Sequence, residues 1–212
     1  MTSTERAMRA QLLRLARQLG TGALSQGKSG NASVRHAGGF LVTPTGQAYD
    51  AMSLEDLVWI DAPGHAHGAR SPSSEWRMHR DIYARYPDAG AIVHTHSPYA
   101  TTLACLRRGI PAFHYEVAFA GGKDIRCSDY ATFGTQDLSD QALAALDGRR
   151  ACLLANHGTI ACGADADQAL ALAEKVESLA RLYWQALQVG EPAILDDAEM
   201  ARVLERFATY GR

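Results

Sequence analysis

Apolar positions along this chain keep changing between two rhythms, one of about 3.6 residues and one of two. Near the start, Leu12, Leu13, Leu15, Ala16 and Leu19 recur at helical spacing, behind Thr2 and Glu5 at capping-box spacing. A first helix is expected there. Residues 20–30 are rich in Gly and Ser and predict a loop. Residues 32–36 and 39–42 are short strand-like runs joined by Ala37-Gly38, a hairpin pattern, and Thr43-Pro44-Thr45-Gly46 ends the second run with turn chemistry. Residues 57–61 predict another strand, and the small, polar residues 64–72 a surface loop. A helix is expected from Ser73, its N-cap, to Pro87, its stop. A strand over 91–95, a helix over 98–108 and an apolar run over 110–120 follow. Residues 138–146 predict a helix, and 151–155 a fully apolar strand stopping at Asn156-His157-Gly158. Leu170, Ala173, Val176, Leu179, Ala180, Tyr183 and Leu187 mark a long helix over 166–189, and 197–210 a last one. Strands and helices mix without strict alternation or repeat. The pattern predicts a single α/β domain over residues 1–212, with a mixed central sheet flanked by helices.

Chemistry enters at the strand over 91–95, which runs into His94-Thr95-His96. In an extended strand, residues two apart share a face, so both imidazoles converge. Taken alone, such a pair is more often a surface or core-rim pair than half of a tetrahedral zinc site. His157 stands at the end of a second apolar strand, and strand ends at one sheet edge are where α/β folds place ligands. Three histidines with an open fourth position make the pattern of a catalytic rather than a structural zinc. Glu75, in the first turn of its expected helix, either complements the helix dipole or serves the metal as proton-transfer group or reversible ligand. Ser73-Ser74, Gly30-Asn31-Ala32-Ser33 and Thr45-Gly46 supply small donors of the kind that cap helices, shape turns or hold a phosphate.

Composition narrows the partners. The chain has 212 residues, 47% hydrophobic and 21% charged, with a formal net charge of −2, so no basic patch points to nucleic acid. Its four cysteines, Cys105, Cys127, Cys152 and Cys162, form no CxxC pair, and a chain of this size needs no disulfide staples. A reducing cytoplasm is the expected compartment. No segment reaches the roughly 18–20 apolar residues needed to cross a bilayer, and the first residues lack a signal-peptide core. A small-molecule substrate is expected, with no nucleic acid and no membrane.

In their order, Gly30-Asn31-Ala32-Ser33, Thr43-Pro44-Thr45-Gly46, Ser73-Ser74-Glu75, His94-Thr95-His96 and Asn156-His157-Gly158 resemble the class II aldolases of the aldolase/adducin superfamily. The stretches 110–115 and 130–135 are similar above all to its L-fuculose-1-phosphate aldolases. The resemblance implies a three-layer fold and one zinc per subunit held by His94, His96 and His157, with Glu75 able to take a ligand position. It also implies a donor phosphate held by Asn31, Thr45, Gly46, Ser73 and Ser74, with Gly30 shaping the loop. Tyr115 would protonate the aldehyde oxygen, while Phe133 and Tyr210 would line the aldehyde side. A fourfold homotetramer with sites between subunits is implied, so Tyr115 and Tyr210 would act on a neighbour's zinc. Glu116, Val117 and Phe119 depart from the family pattern beside the tyrosine, and the tail after Tyr210 is short.

The activity so implied is reversible cleavage of a ketose 1-phosphate to dihydroxyacetone phosphate and a lactaldehyde-like aldehyde. Relatives within the superfamily leave other chemistries open, among them a ribulose-5-phosphate 4-epimerase, a sugar-acid phosphate decarboxylase and a methylthioribulose-phosphate dehydratase. A non-catalytic interaction module, as in the adducin head, is expected to lack the metal ligands that this chain carries.

Overall fold

A computed structural model describes residues 1–22, 24–25 and 27–209. The first helix, α1 (Ser3–Thr21), is capped by the Thr2 hydroxyl, which accepts from the Glu5 amide at 3.1 Å. Glu5 itself turns to Arg9 at 2.8 Å instead of closing a full capping box. The hairpin of β1 (Asn31–His36) and β2 (Gly39–Val42) turns through Ala37 and Gly38, both at positive φ (47° and 74°). Two left-handed residues in a two-residue loop match the right-handed twist of the strands they join. β3 (Val58–Ile60) pairs with β2, and β4 (Ala66–His67) pairs with β3 inside the stretch expected to be loop. Two exposed residues carry no pattern that could have marked β4.

α2 (Trp76–Arg85) starts later than expected. Glu75, not Ser73, is its N-cap, and the preceding turn is closed by Trp76 N–H on the Ser73 carbonyl at 3.1 Å. The helix ends before Pro87, which disfavours helical backbone at the residue ahead of it. β5 (Ala91–Thr95) follows, then α3 (Pro98–Cys105), a 3-10 helix at Tyr115–Ala120, and α4 (Gln136–Leu146). β6 (Ala151–Leu154) and β7 (Gly158–Gly163) form a second hairpin, so the apolar strand that stops at Asn156 turns back at once. α5 (Ala166–Val189) and α6 (Asp197–Thr209) complete the chain; Tyr210 lies outside the described residues.

The strands form one sheet in the order β4-β3-β2-β1-β5-β7-β6. Each pairing between named strands is antiparallel, and the sheet is mixed only where the bridge Cys127–Leu153 adds a parallel step at the β6 edge. Alternation splits the strands cleanly between two cores. Ala32, Val34, Ala91, Val93 and Ala161 pack with α1, α3 and α5 on one face. Phe40, Val42, Ile92, Ile160 and Cys162 pack with Met78 and Ile82 of α2 and Leu138 and Ala142 of α4 on the other. The result is a sheet between two helical layers, as expected. By the same alternation, His94 and His96 follow Ile92 onto the α2/α4 face. Among the described residues no helix is long and apolar enough to cross a membrane, and all four cysteines are free.

Ile92 is fully buried two residues before His94 on the same face. Replacing Ile92 by Ala should cost about 2–5 kcal/mol of unfolding free energy, read from the shift of the urea transition. A change smaller than about 1 kcal/mol would contradict the close packing claimed for this face.

Candidate active site

Three neighbouring strands meet at one end of the sheet. Asn31 opens β1 opposite His94, and Thr159, near the start of β7, stands opposite Thr95 at the end of β5. Antiparallel register therefore brings the beginning of two strands to the end of a third. His157 sits in the turn between β6 and β7, which is tied to the end of α3. The Asn156 amide donates to the Ala104 carbonyl at 3.0 Å, and its side chain bonds the Cys105 carbonyl and Arg107. Asn156 has φ 55°, a left-handed geometry that Asn adopts more readily than most residues.

Two glycines make room for this convergence. At Gly30, with φ 82°, an added Cβ would lie 2.6 Å from the His94 carbonyl oxygen. At Gly158 it would strike the Thr95 carbonyl oxygen and come within 2.8 Å of His96 Cδ2. Nothing larger than glycine fits beside the histidine strand at either place.

The rings of His94, His96 and His157 pack edge to face, with centroids 4.8–4.9 Å apart, and their ligand nitrogens lie within 4.8 Å of one another. His94 Nδ1 lies 2.9 Å from the Thr159 carbonyl oxygen, which can only accept, so Nδ1 carries the hydrogen. On a neutral ring, Nε2 is then bare, and it faces His96 Nε2 at 3.0 Å and Glu75 Oε2 at 3.1 Å. Glu75 Oε1 is 3.2 Å from His157 Nε2, yet it is buried without a well-directed hydrogen bond. The bare His94 Nε2 thus points its lone pair at a lone pair of the carboxylate. Either a proton on His94 or a cation among the nitrogens resolves that arrangement.

Glu75 is only 7% exposed. Burial alone would raise its pKa, but His94 and His157 outweigh this and hold the carboxyl well below the usual range. Burial works against charge on His94 as well, and there Glu75 prevails and pulls the pKa up. Burial and the neighbouring rings of His94 and His157 push His96 down to about 4, so it stands as a neutral base. Three imidazole nitrogens and one carboxylate, with a backbone carbonyl fixing the tautomer of the innermost ring, fit the donor set of a catalytic divalent metal.

Above this cluster lies a cleft of about 320 Å³. Gly30, Asn31, Thr45, Gly46, Ser73 and Ser74 line one part of it, and Glu75, His96, His157 and Phe133 another; His94 lies beneath, fully buried. Tyr115 does not line the cleft. It is 51% exposed on the 3-10 helix, stacked on His114 and Phe207. Lys28, Gln47, Tyr49, Tyr130 and Asn156 also line the cleft, and sequence reasoning assigned them no role. Lys28 stands two residues before Gly30 in a loop without periodicity, and only its charge could have marked it.

A sequence profile described as the class II aldolase and adducin N-terminal domain matches residues 10–184. The chain belongs to the class II aldolase and adducin family. Within it, the chain is an enzyme of the metal-dependent class II aldolase type, with a three-histidine site of the kind that chemistry requires. A 5-methylthioribulose-1-phosphate/5-deoxyribulose-1-phosphate aldolase of Rhodospirillum rubrum is 54% identical over 211 residues, which are 100% of this chain and 96% of that protein. An L-fuculose phosphate aldolase of Escherichia coli is 48% identical over 189 residues, 89% of this chain and 88% of the relative. A solved L-fuculose 1-phosphate aldolase superposes with a TM-score of 0.93 at 40% identity, covering 98% of both chains.

The glycine constraint on this aldolase is testable. Gly158→Ala must displace His96 or the Thr95 carbonyl, and should weaken divalent-metal binding about 10–100-fold in a competitive chelator titration. Unchanged affinity would show that the strand ends have slack that the structure denies them.

Proposed function

We propose that this enzyme catalyses reversible aldol cleavage of a ketose 1-phosphate, breaking C3–C4 to release dihydroxyacetone phosphate and a small aldehyde. The observation that carries the reading is a carboxylate and three histidines at the floor of a cleft whose wall is built from small hydrogen-bond donors. In this reading His94, His96 and His157 hold one zinc per subunit, and Glu75 is an exchangeable ligand. Bound there, the metal would supply Lewis acidity against the negative charge that develops at the donor as C3–C4 breaks.

The phosphate falls to the donors ahead of α2. The Ser73 and Thr45 amides are engaged by the Thr43 and Ser71 carbonyls, so these residues offer their hydroxyls. The Glu75 amide donates to Ser73 Oγ at 3.3 Å, which leaves the Ser73 hydroxyl hydrogen free to donate. Ser74, Asn31 and Gly46 complete the cradle, Gly30 gives it its shape, and Lys28 adds positive charge at the rim. Glu75 is placed to exchange the C3 proton. During synthesis it takes that proton, and during cleavage it returns it. Tyr115 gives a proton to the aldehyde oxygen during synthesis and recovers it during cleavage. Because Tyr115 lies outside its own cleft, it would serve a neighbour's, which supports a homotetramer with sites between subunits. Phe133 borders the aldehyde side, and Tyr210 is assigned there by resemblance alone.

Two kinds of donor fit this reading, a 6-deoxyketohexose phosphate and a 5-substituted ribulose phosphate. The motifs favour an L-fuculose 1-phosphate-like ketose, which releases lactaldehyde. The full-length similarity to the R. rubrum aldolase favours 5-deoxyribulose or 5-methylthioribulose 1-phosphate, which release acetaldehyde or its methylthio derivative. The phosphorylated half is the same in each, so the two donors differ only at the aldehyde, beside the exposed rings of Tyr130 and Phe133.

Glu75→Gln should keep its metal by elemental analysis yet lose about 10²–10⁴-fold in kcat. Wild-type turnover by the metal-loaded variant would remove Glu75 from proton transfer. His96→Ala should lose both metal and activity. Tyr115→Phe should be nearly inactive, but activity should return when it is unfolded, mixed with His96→Ala and reassembled. No recovery in the mixture would place Tyr115 in its own subunit's site.

A further inference from the structure

Beneath the cleft, five polar side chains form one buried chain of hydrogen bonds, and three of them, Tyr83, Ser33 and His79, have no part in the proposed reaction. Tyr83 OH is 2.8 Å from Ser33 Oγ, which is 2.7 Å from His79 Nδ1. His79 Nε2 is 2.6 Å from Asn31 Oδ1, and Asn31 Nδ2 is 2.8 Å from Glu75 Oε2. Alternation explains the assembly, since Asn31 and Ser33 point to the α2 face of β1 and His79 and Tyr83 sit one helical turn apart on α2.

Every donor in this chain can be assigned. The Glu75 carboxylate only accepts, so Asn31 turns its NH₂ toward it and its carbonyl oxygen toward His79. That oxygen also only accepts, so His79 carries its hydrogen on Nε2. The ring is fully buried, and burial pushes its pKa down to about 3, so Nδ1 is bare. Ser33 must then donate to Nδ1, and Tyr83 to Ser33. All the donors run one way, from Tyr83 to Glu75. Reversing the Asn31 amide would set its oxygen against the carboxylate and its NH₂ against the His79 N–H.

We propose that His79, as the Nε2-protonated tautomer whose bare Nδ1 accepts from Ser33, is a positioning residue that locks the Asn31 amide so that its donor side serves Glu75 and the substrate. One Asn31 N–H pins Glu75 Oε2, and the other remains for a substrate oxygen in the cleft. The role in turnover rests on the aldolase reading above, whereas the tautomer does not.

The first test is spectroscopic, on metal-loaded protein labelled with ¹⁵N at histidine. A two-bond ¹H–¹⁵N correlation spectrum should give a neutral His79 ring protonated at Nε2. A ring protonated at Nδ1, or at both nitrogens, overturns the proposal whatever the activity. The second test is kinetic. His79→Phe should lower kcat/KM about 10–100-fold while metal content stays near wild type. His79→Gln, whose amide nitrogen can donate in place of Nε2, should recover most of that loss. Equal activity of the two variants, high or low, contradicts a donor role. If His79→Phe does not fold, His79→Leu, which likewise has no donor for Asn31, is compared with His79→Gln in its place, and equal activity of that pair overturns the assignment. Wild-type protein that cleaves no ketose phosphate would defeat the aldolase reading and leave the tautomer result standing.

Discussion

The structure turns on the carboxylate of Glu75, an ionised group held almost out of water. Burying such a charge costs several kcal/mol unless opposite charge and hydrogen bonds compensate. Here the compensation comes from His94 at 3.1 Å, His157 at 3.2 Å and the Asn31 amide at 2.8 Å. A proton shared with the histidines balances the charge in one state, and a divalent cation in another. The same electrostatic demand suits a metal among the histidines and, in the proposed mechanism, keeps the carboxylate ionised to accept a proton.

Strand register meets that demand. β1, β5 and β7 are neighbours, and antiparallel pairing places Asn31, His94 and the β6–β7 turn together at one end of the sheet. The geometry tolerates little, because Gly30 and Gly158 lie where any side chain would collide with the backbone of β5. Behind the ligands, the Thr159 carbonyl sets the His94 tautomer, and His79 fixes Asn31 in the same manner. A buried polar network of this kind specifies one arrangement only when all its donors and acceptors agree, as they do here.

Much of this is legible from residues alone, for identifiable reasons. The period of two in a strand is rigid, so spacing by itself puts His94 and His96 on one face. His157 is legible as a strand-end residue, but the hairpin that carries it is not. An apolar run that turns back through Ala155-Asn156-His157 has no Pro and no Gly ahead of the turn to mark where one strand becomes two. Residue type places Glu75 two positions too far into its helix, because Ser73 is a good cap by its side chain while its amide is spent on Thr43. β4 escapes notice because two exposed residues show no alternation. His79 does too, since a histidine on the apolar face of a helix looks like an ordinary core residue until Ser33 and Asn31 are seen on either side. Tyr115 is a different case, because the role inferred for it depends on a neighbouring subunit.

In the proposed reaction the phosphorylated half of the substrate occupies the cleft, and the choice of aldehyde falls to the rings at its rim. The central claim is the bond that breaks. The most direct test incubates zinc-loaded protein with a panel of ketose 1-phosphates and ketose 5-phosphates and identifies the products by mass. Dihydroxyacetone phosphate and a two- or three-carbon aldehyde should form in equal amounts from a ketose 1-phosphate. An epimerised pentulose 5-phosphate, release of carbon dioxide, or loss of water without cleavage would contradict that claim.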